Sequence, residues 1–170
     1  LDTEYEENFS RELIEKRYQA NIPLLLDSWF SSVLFSGKTG RPQDIEQLQA
    51  YGVNLENSSY LVAWIQVERN AEHWGLIEHE KLKLSVRDRL DATLEQFEFS
   101  FYSFAFQSGI VVIIKEKGGD FNIETEMIFN RMIRTTEHYL SVNIDIGVSG
   151  LHSGFSELAK AYSEAESALS

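Results

Sequence analysis

Residues 99–116 read FSFYSFAFQSGIVVIIKE, and this stretch decides the fold. Two runs rich in aromatic and β-branched residues are separated by Gln107-Ser108-Gly109, which predicts a β-hairpin with its turn near Ser108 and Gly109. Residues 110–114 are apolar at every position, a pattern typical of a strand that is covered on both faces. We therefore expect this hairpin to lie in the centre of a packed sheet.

The segments on either side of the hairpin supply further strands and helices. Residues 59–68 form a mostly apolar run that predicts a first strand, and apolar residues three to four apart predict an amphipathic helix over 75–97. After the hairpin, we predict a helix that runs to residue 140, with Asn122 as its N-cap. Residues 142–148 alternate strictly and predict a strand. A last helix is expected from about residue 155.

The predicted order is strand, helix, strand, strand, helix, strand, helix. A βαββαβ order of this kind forms an antiparallel sheet with helices packed on one face. We therefore predict an α+β, ferredoxin-like domain with an extra helix after its last strand.

The first 54 residues show a different pattern. Residues 2–35 are predicted to be helical, with a charged first half and an apolar second half, and a short helix is predicted over 43–51. We divide the chain into a helical linker or dimerisation segment, 1–54, and a domain, 55–170. The leading helix has more apolar surface than one narrow stripe needs. It pairs with its copy in a dimer or packs on its own domain, and the sequence leaves both open.

Composition excludes several functions. The 170 residues are 43% hydrophobic, which is enough for a packed core, and they include no cysteine, which excludes disulfides and thiolate metal sites. A net charge of −12 argues against direct contact with a nucleic-acid backbone. No run approaches the roughly 20 apolar residues of a membrane span. We expect a cytoplasmic segment without membrane contact, cut from a longer protein because it begins without Met and stops inside a helical pattern.

Several motifs resemble a known family. Residues 144–148, IDIGV, and 158–169, LAKAYSEAESAL, look like the closing strand and helix of GGDEF nucleotidyl cyclases, whose palm has the same element order. The ending AYSEAESAL, the LFSGK at 34–38 and the small helix before the first strand resemble the middle segment of YesN-type two-component response regulators. Such regulators carry an N-terminal receiver and a C-terminal AraC-type DNA-binding domain. The resemblance therefore implies a cyclase-palm-like domain within a bacterial transcriptional regulator.

The resemblance also shows which cyclase residues are missing. Active members hold two Mg²⁺ ions with carboxylates from the end of the first strand and from the hairpin turn. The resemblance places the hairpin signature of the family on 106–110, FQSGI. The two positions that are acidic in active members are not acidic here. Where active members show Asp-x-Asp, this chain has Gln66-Val67-Glu68, and the nucleotide-contacting positions that follow have become residues 70–73, NAEH. One carboxylate, Glu68, is too few for two hard cations. We expect no enzymatic activity, and no catalytic, cofactor-binding or metal-ligating residue.

Other polar motifs have simpler interpretations. Residues 118–121, GGDF, spell most of the family signature but follow the third strand, where a Gly-Gly turn into a helix is expected. The four histidines lack metal-ligand spacing and are expected to lie at the surface or in packing positions: His73, His79, His138 and His152. Asp145 lies on the polar face of a strand, where it either faces solvent or a helix, or meets a ligand.

These observations predict a non-catalytic regulatory domain. Its expected role is to relay a signal, or to mediate dimerisation, between a receiver or sensor domain and an AraC-type DNA-binding domain of the same polypeptide. A homodimer is the expected assembly. The alternative is a small-molecule sensor that binds a nucleotide or metabolite in a metal-free, cyclase-like cleft.

Overall fold

The computed structural model describes residues 25–34, 42–68 and 75–169. In these ranges the helices are α1 (residues 25–34), α2 (Pro42–Ala50), α3 (Leu76–Gln96), α4 (Phe121–Leu140) and α5 (Leu158–Ser167). The strands are β1 (Ser59–Val67), β2 (Phe101–Phe106), β3 (Gly109–Lys115), β4 (Ile144–Val148) and the short β5 (His152–Ser153). No helix within the described ranges is long and apolar enough to cross a membrane.

The sheet has the strand order β2-β3-β1-β4, with every neighbouring pair antiparallel, and β5 pairs with the beginning of β1. The elements follow the predicted βαββαβ order along the chain and the sheet is antiparallel, so the α+β, ferredoxin-like prediction is confirmed. β1 and β3 lie in the middle of the sheet, and β2 and β4 form its edges. The register places Gln66 of β1 between Gly109 of β3 and Asp145 of β4.

Both faces of the sheet are packed. Alternate residues of β1 point to opposite sides because side chains along a strand alternate with a period of two. Leu61, Ala63 and Ile65 contribute to the core under α3 and α4, whereas Tyr60 and Trp64 contribute to the core that α1, α2 and α5 cover. The two helices of the βαββαβ unit, α3 and α4, therefore share one face, as predicted. Helices α1, α2 and α5 share the other face.

Helix α1 packs on its own domain. Phe30, Val33 and Leu34 are buried, and the ring of Phe30 stacks on Phe104 of β2 with centroids 4.5 Å apart. Of the two arrangements that the sequence left open, residues 25–34 thus adopt the intramolecular one. Residues 1–24 lie outside the described part of the chain. A boundary after residue 54 stays a prediction, although α1 and α2 both bury side chains against the sheet.

The hairpin turn differs in detail from the prediction. The two turn residues are Gln107 and Ser108, and the positive φ, 51°, belongs to Gln107 instead of a glycine. Gly109 is already the first residue of β3. A Cβ there would collide with the carbonyl oxygen of Ile65 and lie 2.8 Å from the ring of Trp64. The glycine therefore serves the close packing of β3 on β1 and not the turn itself.

Two element boundaries also need correction. The predicted capping Asn122 lies inside α4, which begins at Phe121, and Asp120 occupies the N-cap position without a side-chain capping bond. β4 begins at Ile144, two residues later than predicted, although Asn143 still accepts a backbone hydrogen bond from Glu68. Residues 118–120 form the bend before α4, where a Gly-Gly turn was predicted, with Gly119 at a φ of 81°.

Candidate functional site

An open cleft of about 650 Å³ lies where β1 ends, beside the hairpin turn and the start of β4. We call this region the cleft. Its lining combines polar groups with an apolar wall: Gln66, Val67, Glu68, Ser108, Ile133, Asn143, Ile144 and Asp145. It is the region where the family resemblance places the cyclase centre.

The strand register brings the polar side chains of the cleft together. Because Gln66 pairs with Gly109 on one side and Asp145 on the other, its side chain lies between the hairpin and β4. The amide of Glu68 donates a hydrogen bond to the carbonyl of Asn143, 3.1 Å away, which extends the β1–β4 pairing beyond the strands. Gln66, Glu68 and Asp145 are all exposed to solvent.

The donor set of the cleft does not fit two Mg²⁺ ions. Magnesium requires several oxygen ligands in near-octahedral geometry, usually with carboxylates among them. The lining supplies only two carboxylates, from Glu68 and Asp145, and the described residues contain no cluster of three or more metal-ligating side chains. In the hairpin turn, where active family members carry acidic residues, this chain has the amide of Gln107 and the hydroxyl of Ser108. Residues 70–73, the predicted lost nucleotide contacts, lie outside the described ranges.

Asp145 is placed at the cleft and not at a helix. Its side chain is exposed and lines the cleft beside Gln66. The side chain is thus open to solvent, one of the positions that the sequence left open. The same position leaves the carboxylate available to a ligand in the cleft.

The histidines within the described ranges occupy packing or surface positions, as predicted. His79 is a buried residue in the first turn of α3, with Nε2 3.4 Å from the carbonyl oxygen of Val67. His138 is exposed near the end of α4, beside Tyr139. His73 lies outside the described ranges.

His152 joins the sheet to α5. Its Nδ1 lies 3.0 Å from Glu157 and its Nε2 lies 2.8 Å from Glu164. These contacts lower the pKa of both glutamates, and backbone amides assist: that of Ser153 bonds to Glu157, and that of Gly150 to Glu164. This cluster holds the last helix against β1 and β5.

Sequence reasoning missed a polar stripe along α3. His79, Lys83, Arg87 and Asp91 are spaced four residues apart, so they lie on one side of the helix. We call these four residues the polar stripe. It runs next to the apolar stripe of Leu82, Val86, Leu90 and Leu94 that identified the helix. The regular spacing of the polar residues was the available signal, although such a pattern usually marks a solvated face.

Arg87 connects this stripe to α1. Its guanidinium donates to both carboxylate oxygens of Asp27, at 3.1 and 3.2 Å, and to the backbone carbonyl of Ser103 at 2.7 Å. It also donates to the hydroxyl of Ser103, which in turn donates to Asp91 at 2.7 Å. Burial raises the pKa of Asp91, and the hydrogen bond from Ser103 and the charge of Arg87 oppose this increase. We call Asp27, Arg87, Ser103 and Asp91 the α1 anchor.

No curated protein and no solved structure matches the chain. The family profile described as "GGDEF-like domain" matches residues 36–170, most of the sequence. This match, the βαββαβ sheet and the position of the cleft agree with one another. The chain therefore belongs to the GGDEF-like domain family.

Proposed function

We propose that this chain is a non-catalytic regulatory domain of a bacterial transcriptional regulator. In this role it relays a signal, or mediates dimerisation, between a receiver or sensor domain and an AraC-type DNA-binding domain. The observation that carries the proposal is the chemistry of the cleft: Gln66, Gln107 and Ser108 stand where active cyclases need carboxylates. The YesN-type context rests on the sequence resemblance at both ends of the chain.

A neutral amide or hydroxyl cannot replace these carboxylates in cyclase chemistry. Nucleotidyl transfer needs metal ions that align the triphosphate and neutralise charge as it moves. Glu68 and Asp145 provide two carboxylates, and the described lining of the cleft includes no Lys or Arg that could stabilise phosphate charge instead. The fold of the cyclase palm is therefore kept without its reactive groups.

Incubation with GTP or ATP and with Mg²⁺ or Mn²⁺, followed by chromatography of the products, tests the absence of activity. We expect no cyclic mononucleotide or dinucleotide, while an active GGDEF cyclase run in parallel yields product. Formation of product that disappears in Glu68→Gln would overturn the non-catalytic assignment.

The arrangement of the terminal helices supports a relay. Helix α1 precedes the domain and α5 ends the described chain, and both pack into the same hydrophobic core on one face of the sheet. Phe30 of α1 stacks on Phe104, and Tyr162 of α5 packs edge-on against Trp64 and Phe106. A displacement of α1 would therefore change the packing under α5, because cores are densely packed.

Sedimentation equilibrium over a wide concentration range tests dimerisation. We expect a dimer that is lost when residues 1–24 are deleted. This deletion is preferable to one that removes α1, since Phe30, Val33 and Leu34 belong to the core and their loss would destabilise the domain itself. A chain that stays monomeric at high concentration would argue against the dimerisation role.

A second candidate function is small-molecule sensing. It is favoured by the size of the cleft, about 650 Å³, and by its hydrogen-bonding lining. The melting temperature should be measured with GTP, ATP and cyclic dinucleotides, with and without Mg²⁺. A ligand at about 100 times its Kd would add roughly 2.7 kcal/mol to the free energy of unfolding. A shift that is lost in Asp145→Asn would support sensing, and the absence of any shift would leave the relay role.

A further inference from the structure

The polar stripe of α3 runs from the cleft to helix α1. His79 and Lys83 lie near the beginning of α3, and Arg87 and Asp91 lie one and two turns further on. Each of the four side chains contacts a residue outside α3. From one side of a single helix, the stripe therefore contacts the end of β1, the hairpin turn, β2 and α1.

At the cleft end, two stripe residues contact the backbone that shapes the cleft. Nζ of Lys83 donates to the carbonyl of Gln107 in the hairpin turn, at 3.3 Å, and pairs with Glu80 at 2.9 Å. His79 lies 3.4 Å from the carbonyl of Val67, which lines the cleft. The polar stripe thus contacts both the end of β1 and the turn between β2 and β3.

At the other end, the stripe holds α1. Helix α1 covers one face of the sheet and α3 covers the other, and Arg87 joins them beside the edge strand β2. Its two bonds to Asp27 are bidentate, the geometry that gives an Arg–carboxylate pair its strength and directional specificity. The side chains of Arg87 and Asp27 are only 16% and 18% exposed, so solvent screens this pair less than a surface pair.

Burial leaves these polar groups few alternative partners. Lys83 is 5% exposed and His79 is 3% exposed. A buried polar group that loses its hydrogen-bonding partner raises the free energy of the folded state. A shift of α3 along or around its axis would therefore disturb the contacts at both ends of the stripe.

We propose that the polar stripe of α3 couples the docking of α1 to the conformation of the cleft. When α1 is bound through Asp27, Arg87 fixes α3 in the position that lets Lys83 hold the hairpin turn. When α1 moves, that constraint weakens and the turn opens more often. Because coupling between two sites is reciprocal, occupation of the cleft would in turn change how firmly α1 is held.

The biological meaning of this coupling rests on the proposed relay function, but the coupling itself can be measured in the 170-residue chain alone. A failure to dimerise, or to relay a signal in a complete regulator, would leave that measurement unaffected. The two proposals can therefore fail separately.

Amide hydrogen exchange in Asp27→Asn tests the coupling. Two probes report on the cleft: the amide of Gly109, which pairs with Phe106 at the turn, and that of Glu68, which is bonded to Asn143. We expect their exchange to accelerate at least about fivefold, the low end of typical coupling between sites. Amides at 111–113, in the centre of β3, serve as the internal reference for global unfolding. The matched control is Asp88→Asn, which removes the same charge from the exposed side of α3 and should change neither probe.

A second variant tests whether Lys83 carries the effect. In Lys83→Met the turn should exchange faster from the start, and adding Asp27→Asn should produce little further acceleration. If Lys83→Met does not fold, the experiment uses Lys83→Gln in its place. Acceleration confined to α1 and β2 in Asp27→Asn would overturn the proposal. Fully additive effects of the two substitutions at the turn would also overturn it.

Discussion

The cleft and the α1 anchor use charged side chains in opposite ways. In the cleft, Glu68 and Asp145 are exposed at the ends of neighbouring strands. At the α1 anchor, Asp27 and Arg87 are largely buried and form a bidentate pair that also contacts the backbone of β2. The bidentate charge pair thus lies where α1 attaches to the sheet and not in the cleft.

This difference indicates which part of the palm still requires particular residues. Exposed charges interact weakly because water screens them, so the carboxylates of the cleft contribute little to folding. Buried charges must be paired and hydrogen-bonded, so Asp27 and Arg87 each depend on the other. Substitutions in the cleft should therefore cost little stability, whereas substitutions in the α1 anchor should cost more.

The largest expected effect is that of Phe30→Ala beside the α1 anchor. Phe30 is 1% exposed and stacks on Phe104, so its truncation leaves a cavity between α1 and the sheet. We expect a loss of about 3–5 kcal/mol in the free energy of unfolding, measured by urea denaturation. Leu25→Ala, at an exposed position of the same helix, is the control and should cost little. A loss below about 1 kcal/mol for Phe30→Ala would mean that α1 is not part of the core.

Gly109→Ala tests whether the backbone beside the cleft tolerates substitution as well as the exposed side chains of the cleft do. The added methyl group would collide with the carbonyl oxygen of Ile65 and the ring of Trp64, so β3 or β1 must shift. We expect a loss of about 3 kcal/mol in the free energy of unfolding, from the same denaturation experiment. Gly118→Ala is the matched control, since a Cβ at Gly118 meets nothing within 4 Å. Equal effects of the two substitutions would contradict the close packing of β3 on β1.

Arg87→Met removes the centre of the α1 anchor while keeping much of the side-chain volume. It leaves Asp27 and the carbonyl of Ser103 without their donor in a partly buried place, so we expect a loss of about 2 kcal/mol. Arg89→Met is the control on the same helix, because Arg89 stacks on Tyr139 and lies away from α1. If both variants have the same stability in urea, the α1 anchor contributes no more than a surface contact.

Glu68→Gln and Asp145→Asn probe the cleft side of the comparison. Both side chains are exposed, so each substitution should change the free energy of unfolding by no more than about 0.5 kcal/mol. Calorimetry of the two variants and the unchanged chain provides the measurement. A loss as large as that of Arg87→Met would show that the charges of the cleft are structurally ordered after all.

The smallest expected effect depends on pH and lies outside both regions. The pKa values of Glu157 and Glu164 are lowered by their hydrogen bonds with His152, so the stability that they contribute is complete above the ordinary glutamate pKa. It is lost as the pH falls through the lowered folded-state values. The stability difference between the unchanged chain and Glu157→Gln/Glu164→Gln should therefore be complete above the ordinary glutamate pKa and shrink over the pH range below it. Thermal melts across this range that keep a constant difference would contradict the assignment.

Much of the fold could be predicted from local pattern. The alternation of residues 142–148, the four-residue spacing in α3 and the apolar runs of β1 and β3 identified their elements, because each reflects which side of a strand or helix is buried. The cleft was located through the family resemblance. The turn residues, the N-cap of α4 and the start of β4 were missed by one or two positions, since helix and strand ends depend on individual hydrogen bonds.

The α1 anchor could not be predicted in the same way. Asp27 and Arg87 are separated by 60 positions, and neither belongs to a recognisable motif. Their pairing depends on where α1 lies on the sheet, which in turn depends on the packing of Phe30 against Phe104. Polar residues at four-residue spacing usually mark a solvated face, and only the packed structure shows that Lys83 and His79 are buried.

The sequence by itself determined the order of strands and helices along the chain and the burial of both faces of β3. These properties follow from residue type and periodicity, which act over one or two turns of a helix or along one strand. The tertiary structure decided that α1 and α5 share one core, that Gly109 is needed for strand packing and that the ordered charge lies at the α1 anchor. Those properties arise from contacts between distant residues, which exist only once the chain has folded.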